Sequence, residues 1–503
     1  METALRKALF VPLLLLIFLL AVYHLDTYPP FWFDEGIHLQ PPKNLVLYGE
    51  YALLDGGVLR RFDPLLSVGP PVLLPVAAAF RLFGIDLWPA RFVTVSYLML
   101  TAAVFYRLAR RLYGGRVAGL ALGLLVLSPG LEFVRLGRQV MGEVPALFYF
   151  LLGMSLWVQA ARRRRALLLL AGLGLGLAMV TKTVYALILP GGWFLLWLAD
   201  RWRYRQLTSI HFLLPPLVGL ACLAAWQGYQ FVSLQLGGFQ RQTSELATAA
   251  GRSIFAFAPQ CISASVRFLL GPNFYLGLGL PALAYNLYLS LRGRRSLLEL
   301  QRAALLLMAV VWLAWYAFAS VGWHRYALPG LAVVALFVAR LLLDVHSRLA
   351  RLLCPGRGRT VFGSLALAAV AALLVFFPFH RTSLYEEATA TVNMADDSAR
   401  RFAAYINAHV GQDALIESWE WQIDFFTDHT YHHPPLSVLN LAIRHAFLGE
   451  PLPRDMYDFA LYRPDYVVIG PFSKWIGLYP PDYLRRECAH IVSIGPYDLC
   501  RMK

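Results

Sequence analysis

The sequence predicts a polytopic α-helical membrane protein that ends in a small α/β domain. Of its 503 residues, 58% are hydrophobic and 15% are charged, whereas a soluble protein carries about 25% charged residues. The apolar residues form blocks of roughly 20, which is the length that spans a bilayer as a helix. After residue 379 the blocks give way to shorter segments that proline and glycine interrupt.

The net charge of +15 is explained by membrane topology rather than by nucleic-acid binding, for which no motif is present. Arg6 and Lys7 precede the first apolar block, so we expect a cytoplasmic N-terminus, about 11–12 transmembrane helices, an extracytoplasmic C-terminal domain and a location in the inner cell membrane. Arginines gather in the segments expected to be cytoplasmic loops, namely 107–116, 162–165, 201–205, 292–295 and 346–359. The segments 26–64 and 233–271 are then expected to be external loops.

The apolar segment 65–83 decides whether this topology holds. If it crossed the membrane, every later loop would change sides and the arginine-rich loops would face outward. The segment contains Pro70, Pro71 and Pro75, and proline breaks an interior helix unless other groups satisfy the freed backbone. We therefore predict a re-entrant segment or a helix that does not complete a crossing.

The two predicted domains are residues 1–378, in the membrane, and residues 379–503, outside it. In the second, "MADDSARRFAAYINAHVG" has the period of an amphipathic helix, and "ALIES" and "YVVIG" predict short buried strands. A chain of this length can bury a small core of its own.

Five cysteines are too few for a disulfide framework, and CxxC and HExxH motifs are absent. Cys488 and Cys500 flank the turn signal Gly495–Pro496, which would bring two strands together and allow a disulfide. Two unpaired, buried thiols are the alternative, and Cys261 is a possible competing partner.

Two carboxylates, Asp34 and Glu35, follow the first apolar block directly in "YPPFWFDEGIHLQ". By the predicted topology they lie at the outer membrane surface. A solvated loop or the N-cap of a following helix would also explain them, and an Asp–Glu dipeptide has no specificity as a motif.

The stretch "FWFDEGIHLQPPKNLVLYGEY" resembles the first external loop of the GT-C membrane glycosyltransferases, especially the protein O-mannosyltransferase and lipid A aminoarabinose transferase family. Further similar segments follow in the same order over residues 1–345: "FGIDLWPARFVTV", "GRQVMGEVPALFYF", "TKT" and "HRYALP". The resemblance implies a GT-C fold and transfer of a sugar from a polyprenyl-phosphate lipid to an acceptor on the outer side of the membrane.

The chemistry of an inverting hexosyl- or pentosyltransferase fits these residue types. A carboxylate can take the proton of the attacking acceptor hydroxyl, and the departing lipid phosphate needs cations. The resemblance thus implies catalytic roles for Asp34 as general base, Glu35 and Glu143, and substrate-binding roles for Arg138, Lys182, Arg241, His324, Arg325 and Tyr326.

Two departures from the family bear on the acceptor. Asp63–Pro64 stands where the aminoarabinose transferases carry a lysine–proline step, with Arg60 or Arg61 as a substitute charge, and the large luminal domain of the protein O-mannosyltransferases is absent. The acceptor is therefore left open among lipid, glycan and protein. Some GT-C enzymes use a divalent ion and others do not; because the acids here lack DxD spacing, we expect no metal cofactor, with a divalent ion as the alternative.

Two other functions compete with the enzyme. A transporter or flippase of lipid-linked sugars should carry midplane charges or paired broken helices in internal repeats, but the charges gather at the predicted outer loops. A non-catalytic protein with a GT-C fold is the third possibility.

Overall fold

A computed structural model describes residues 14–15, 17–128, 131–160, 165–271, 274–353, 396–453 and 455–503. Several features of the sequence lie outside these ranges: most of the arginine run 162–165, the end of the basic segment 346–359 and the boundary between residues 378 and 379. Residues 17–22, the last part of the first apolar block, are helical.

Helices dominate the described chain before residue 354. A hairpin of β1 (Ala52–Asp55) and antiparallel β2 (Val58–Arg61) follows the first labelled helix. The helices are α1 (Phe33–Tyr48), α2 (Pro70–Phe83), α3 (Leu87–Tyr113), α4 (Gly115–Leu127), α5 (Phe133–Gly137), α6 (Glu143–Ala160), α7 (Arg165–Thr181), α8 (Val184–Ala199), α9 (Ile210–Ser253), α10 (Pro259–Leu270), α11 (Gly279–Arg292), α12 (Leu297–Phe318) and α13 (His324–Leu353).

The protein is a multi-pass membrane protein. Within the described ranges, five helices are long and apolar enough to cross a membrane, judged by length and composition: α3, α6, α9 over Ile210–Gly251, α12 and α13 over His324–Leu349. Shorter apolar helices, among them α4 and α7, lie between them. An ideal helix of 13 to 17 residues is about 20–25 Å long, less than the roughly 30 Å hydrocarbon core, so the predicted number of 11–12 crossings stays a prediction.

The prediction that segment 65–83 does not complete a crossing stays a prediction, and the contacts at the two ends of helix α2 favour it. Just before it, the Gly69 amide donates to the Thr181 carbonyl at the end of α7, 3.1 Å away. Just after it, Asp86 pairs with Arg400 of the C-terminal domain. Both ends of α2 therefore lie on the side that carries this domain.

Residues 233–271 were predicted to form an external loop, and the prediction of a loop is wrong because most of the segment is helical. Helix α9 changes direction at Gln235, where φ is 58° and ψ is 177°, and continues to Ser253 before α10 begins. The stretch "QRQTSELATAA" consists largely of good helix formers, so its polarity did not require a loop.

The C-terminal domain is built on a five-stranded mixed sheet, with the predicted helix and both predicted strands in place. Its strand order is β4-β3-β5-β7-β6, parallel across the first three strands and antiparallel across the last three. Its elements are α14 (Ser398–His409), β3 (Leu415–Ser418), α15 (Trp421–Asp424), β4 (Thr430–His432), α16 (Leu436–Leu448), β5 (Tyr466–Ile469), α17 (Pro471–Trp475), α18 (Pro481–Glu487), β6 (Cys488–Ile494) and β7 (Tyr497–Met502).

Cys488 and Cys500 form a disulfide between the paired strands β6 and β7, and Cys261 is a free, buried thiol in α10. In the chain-entropy model so short a closed loop adds about 3 kcal/mol of stability. We expect the variant with Cys488→Ala and Cys500→Ala to unfold its C-terminal domain at a lower temperature than the wild type, by differential scanning fluorimetry. Reductant should lower the wild-type midpoint and leave that of the variant unchanged; a wild type insensitive to reductant contradicts the assignment.

Helix α1 joins the two domains. A Cβ atom at Gly36 would lie only 2.5 Å from the backbone nitrogen of Gln422, so glycine lets α1 lie directly on the segment that contains α15. Two turns further on, the Lys43 ammonium donates to the carbonyl oxygens of Asp424 at 3.3 Å, Phe425 at 3.2 Å and Thr427 at 2.6 Å. The helix that carries Asp34 is therefore held by the C-terminal domain.

Candidate functional site

Asp34 and Glu35 lie in the first turn of α1 but face different surroundings. Successive helical residues point about 100° apart. Asp34 is partly exposed and faces the start of α13, where its carboxylate accepts from Arg325 Nη1 at 2.8 Å. Glu35 is fully buried and forms two hydrogen bonds with Arg91, from Nε at 2.9 Å and from Nη2 at 2.7 Å.

Two acids and two cations from four separate parts of the chain meet: Asp34 in α1, Glu143 in α6, Lys182 between α7 and α8, and Arg325 in α13. Arg325 also lies near Glu143, with Nε 3.8 Å from Oε1, and Lys182 Nζ lies 3.1 Å from the same oxygen. Since both acids contact one small guanidinium, their carboxylates lie within about 10 Å of each other. We call Asp34, Glu143, Lys182 and Arg325 the charged cluster.

The two acids of the cluster differ in solvent exposure. Glu143 has a relative exposure of 5%, and its Oε2 has no hydrogen-bond partner among the described residues. The Asp34 side chain is 23% exposed. Glu143 therefore fixes the two cations, whereas Asp34 is the carboxylate that a ligand can reach.

Gly142 lets Lys182 reach Glu143. A Cβ atom at position 142 would lie 2.7 Å from Lys182 Cε and 2.9 Å from its Cγ. The aliphatic part of Lys182 lies against the backbone of Gly142 at the start of α6. The side chain is therefore buried and does not extend to the membrane–water interface. Gly142, the second glycine of "GRQVMGEV", is thus explained by close packing of the cluster.

A buried histidine is linked to the cluster through Ser67. His38 lies one turn after Asp34 on α1; its Nδ1 donates to the Val140 carbonyl at 2.9 Å, and its Nε2 lies 3.0 Å from Ser67 Oγ. Burial lowers the pKa of His38 to about 4, so the ring is neutral near pH 7 and Nε2 accepts from the Ser67 hydroxyl. The serine oxygen can then accept from Lys182 Nζ, 3.5 Å away.

Arg325 lies between two tryptophans. Its guanidinium carbon is 4.8 Å from the centre of the Trp323 ring and 5.5 Å from that of Trp32. Cation–π contacts of this kind hold a cation without consuming its N–H donors. Arg325 therefore keeps a fixed position and can still donate to a bound anion.

The charged cluster borders a large cavity between the membrane domain and the C-terminal domain. The cavity measures about 590 Å³. Asp34, His324 and Arg325 lie at its rim, and its walls are mostly apolar, with Trp32 and Trp323 from the membrane domain and Leu439, Ile443, Phe447, Phe472 and Trp475 from the C-terminal domain. We call it the apolar cavity.

The structure brings only part of the predicted site together. Asp34, Glu143, Lys182 and Arg325 meet, and His324 lines the apolar cavity while stacking on Phe268 with ring centres 4.4 Å apart. Tyr326 follows Arg325 in α13, and its carbonyl accepts from Trp312 Nε1 at 2.7 Å.

Three predicted site residues lie away from the cluster. Glu35 is engaged by Arg91 and by the Val140 amide at 2.9 Å. Arg138 donates to carbonyl oxygens that end the first helix, including that of Leu20 at 2.7 Å. Arg241 is on the surface, with a side chain 84% exposed and paired with Glu245 one turn away.

Arg60 and Arg61 do not replace the lysine of the lysine–proline step. Arg60 pairs with Asp55 and Asp63, and Arg61 pairs with Glu50. Both arginines lie in the hairpin β1–β2 and its flank, where neighbouring acids neutralise them. The cations at the cluster come from other segments.

Sequence reasoning missed His38, Ser67, Trp32 and Trp323. His38 could have been found, because positions i and i+4 of a helix share one face and His38 follows Asp34 by four residues. Ser67 carries no local signal. In the described part of the chain, no group of three or more His, Cys, Asp or Glu residues is placed to hold a metal ion.

Comparison with known proteins identifies the fold. Residues 68–229 match the family model of dolichyl-phosphate-mannose-protein mannosyltransferases, a segment that contains Glu143 and Lys182. The structure of ArnT from Cupriavidus metallidurans in the apo state superposes with a TM-score of 0.65 at 14% identity, covering 99% of this chain and 98% of that chain. The chain has the GT-C glycosyltransferase fold. The resemblance found in the sequence is thus confirmed for the superfamily.

Other GT-C structures match almost as well. ArnT bound to undecaprenyl phosphate gives a TM-score of 0.64 at 13% identity, over 98% of this chain and 97% of that chain. The archaeal oligosaccharyltransferase AglB from Archaeoglobus fulgidus, in complex with an inhibitory peptide and a dolichol-phosphate, gives 0.58 at 13% identity over 99% and 75%. A protein of Aquifex aeolicus is 28% identical over 224 residues, and this match spans 44% of each chain.

Proposed function

We propose that this protein is an inverting glycosyltransferase that moves a hexose or pentose from a polyprenyl-phosphate-linked donor to a lipid, glycan or protein acceptor on the outer side of the membrane. The observation that carries the proposal is the charged cluster, in which a reachable carboxylate lies beside two fixed cations, and of which Asp34 and Arg325 line the apolar cavity. The GT-C fold supports it, because solved structures of this fold include complexes with undecaprenyl phosphate and dolichol-phosphate.

The cations suit the leaving group. Lys182 and Arg325 both lie within 4 Å of Glu143, and a lipid phosphate at the rim would accept charge-assisted hydrogen bonds from them. The apolar walls of the cavity suit the first isoprene units behind that phosphate. The phosphate headgroup would then contact the two cations, and the isoprene chain would contact the adjacent apolar walls.

Asp34 is the proposed general base. As the acceptor oxygen attacks the anomeric carbon, its proton passes to the Asp34 carboxylate, the new C–O bond forms, and the bond between carbon and phosphate oxygen breaks. The lipid phosphate keeps the electron pair of that bond, and Lys182 and Arg325 stabilise the added charge. Because attack and departure occur on opposite faces of the sugar, the anomeric configuration inverts.

A charge-removal series tests phosphate binding. We expect Lys182→Met to weaken binding of undecaprenyl phosphate to the purified protein by about 10- to 100-fold, because a hydrogen bond to a charged group contributes roughly 1.5–3 kcal/mol. Arg241→Gln is the matched control, since Arg241 lies on the surface, and its affinity should stay within about twofold of the wild type. Microscale thermophoresis in detergent measures both. An unchanged affinity in Lys182→Met, or a larger loss in Arg241→Gln, contradicts this placement of the phosphate.

A further inference from the structure

A second, smaller cavity lies beside Ser67, whose hydroxyl is also near Lys182 of the charged cluster. It measures about 70 Å³, and we call it the amide pocket. Ser67 lines it, as does Thr183 next to Lys182. Its other walls come from the loop after β2 and from both arms of α9, through Phe62, Trp226, Gln230 and Gln242.

Two buried glutamines line this pocket, and Gln242 has an unused hydrogen-bonding group. Gln242 has a relative exposure of 8%; its Nε2 donates to the Phe62 carbonyl, while its Oε1 is buried without a partner among the described residues. Gln230 is 7% exposed, and its amide has no protein partner in the described part of the chain. Leaving a buried polar group unpaired costs about 1–3 kcal/mol, so Gln242 Oε1 indicates a polar ligand, and the Gln230 side chain lines the same pocket.

The walls of the amide pocket indicate the chemistry of that ligand. The Trp226 ring lies 5.5 Å from Phe62 and 5.8 Å from Tyr229, so one wall is aromatic. None of the residues that line the pocket is Lys, Arg or His. A phosphate would be unfavourable there, whereas neutral hydroxyl groups can both donate to and accept from side-chain amides.

The size and place of the pocket fit one edge of a sugar ring. One water needs about 10–15 Å³ measured in this way, so a cavity of about 70 Å³ holds a few hydroxyl or hydroxymethyl groups but not a complete ring. Ser67 contacts Lys182 at 3.5 Å and also lines the pocket. A sugar whose anomeric carbon lies at the charged cluster could therefore extend its far edge into the amide pocket.

We propose that the amide pocket binds the hydroxyl groups on one edge of the reacting sugar and that Gln230 and Gln242 select that sugar. The proposal rests on the proposed function, because it assumes a sugar at the charged cluster. The sugar belongs either to the lipid-linked donor or to a carbohydrate acceptor. The chemistry of recognition is the same for both sources.

The donor arm of the test compares undecaprenyl phosphate with undecaprenyl-phosphate-linked mannose, glucose and aminoarabinose. In the wild type, at least one sugar-bearing lipid should bind more tightly than undecaprenyl phosphate by about tenfold. Gln230→Leu and Gln242→Leu should reduce this ratio to about twofold or less, with binding of undecaprenyl phosphate unchanged, which also verifies folding. Gln240→Leu, an exposed position on the same arm of α9, is the matched control and should keep the wild-type ratio.

The acceptor arm uses methyl glycosides of the same sugars, observed by saturation-transfer NMR on protein already loaded with the sugar-bearing lipid. If the pocket binds the acceptor sugar, the leucine variants keep the wild-type preference for sugar-bearing lipid over undecaprenyl phosphate. The glycoside signal seen with the wild type is then absent with Gln242→Leu. Two results would show that the amide pocket is not a sugar subsite. In the first, the preference for sugar-bearing lipid over undecaprenyl phosphate and the glycoside signal are both the same in the wild type and the leucine variants. In the second, the wild type shows neither the preference nor the signal. Loss of all binding of undecaprenyl phosphate by the wild type would instead count against the proposed function.

Discussion

Asp34→Asn should lower the rate of sugar transfer by about 10²- to 10⁴-fold, the range that a positioned general base contributes. Asparagine has the shape of aspartate and can still accept from Arg325, so the fold and the position of the guanidinium should be kept. What it loses is the ability to take a proton from the acceptor. Transfer is measured as loss of radiolabelled sugar from the polyprenyl-phosphate lipid in proteoliposomes.

The control for this variant separates catalysis from binding. Asp34→Asn should bind undecaprenyl phosphate with an affinity within a few-fold of the wild type, and Asp86→Asn, which changes an acid paired with Arg400 outside the cluster, should transfer sugar at the wild-type rate. If Asp34→Asn transfers sugar as fast as the wild type, Asp34 is not the base.

Arg91→Met should destabilise the protein by about 3–5 kcal/mol, the typical cost when one partner of a buried ion pair is removed. Arg91 and Glu35 are both fully buried, and Arg91 also donates to the Leu25 carbonyl at 2.9 Å. The single variant would leave the Glu35 charge without its counterion in a low-dielectric environment. We expect a clearly lower temperature of half-unfolding, measured by nanoscale differential scanning fluorimetry.

The double variant Glu35→Gln with Arg91→Met provides the matched control. Because it removes both charges, it should recover much of the lost stability and keep sugar transfer. The sequence suggested a catalytic role for Glu35, whereas the observed contacts give it the task of fixing α1 against α3. A variant Glu35→Gln that folds like the wild type but transfers no sugar would restore the catalytic assignment.

The sequence identified the four residues of the charged cluster because they lie in short segments whose order resembles that of a known family. It could not separate Asp34 from Glu35, since two neighbours in one helical turn look equally placed until their partners are known. Arg241 illustrates a similar limit. A basic residue in a polar stretch was assigned to a loop near the site, but the stretch is helical and the side chain pairs with Glu245.

The C-terminal domain was predicted as a unit, and its sheet and leading helix were recognisable from periodicity. Its part in the site was not, because Phe472 and Trp475 reach the apolar cavity only through the packing of Gly36 and Lys43 against the domain. The amide pocket has the same origin. Gln230 and Gln242 are ordinary polar residues in sequence, and only the tertiary arrangement buries them beside Ser67.

The central claim is that this protein consumes a polyprenyl-phosphate-linked sugar, with Asp34 as the base. Mass spectrometry of polyprenyl lipids and surface glycans tests it in cells that lack the gene and carry either the wild type or Asp34→Asn. We expect deletion to cause one sugar-charged polyprenyl phosphate to accumulate and one glycosylated product to disappear, and we expect only the wild type to reverse both changes. Identical lipid and glycan profiles in all strains, or full restoration by Asp34→Asn, would contradict the claim.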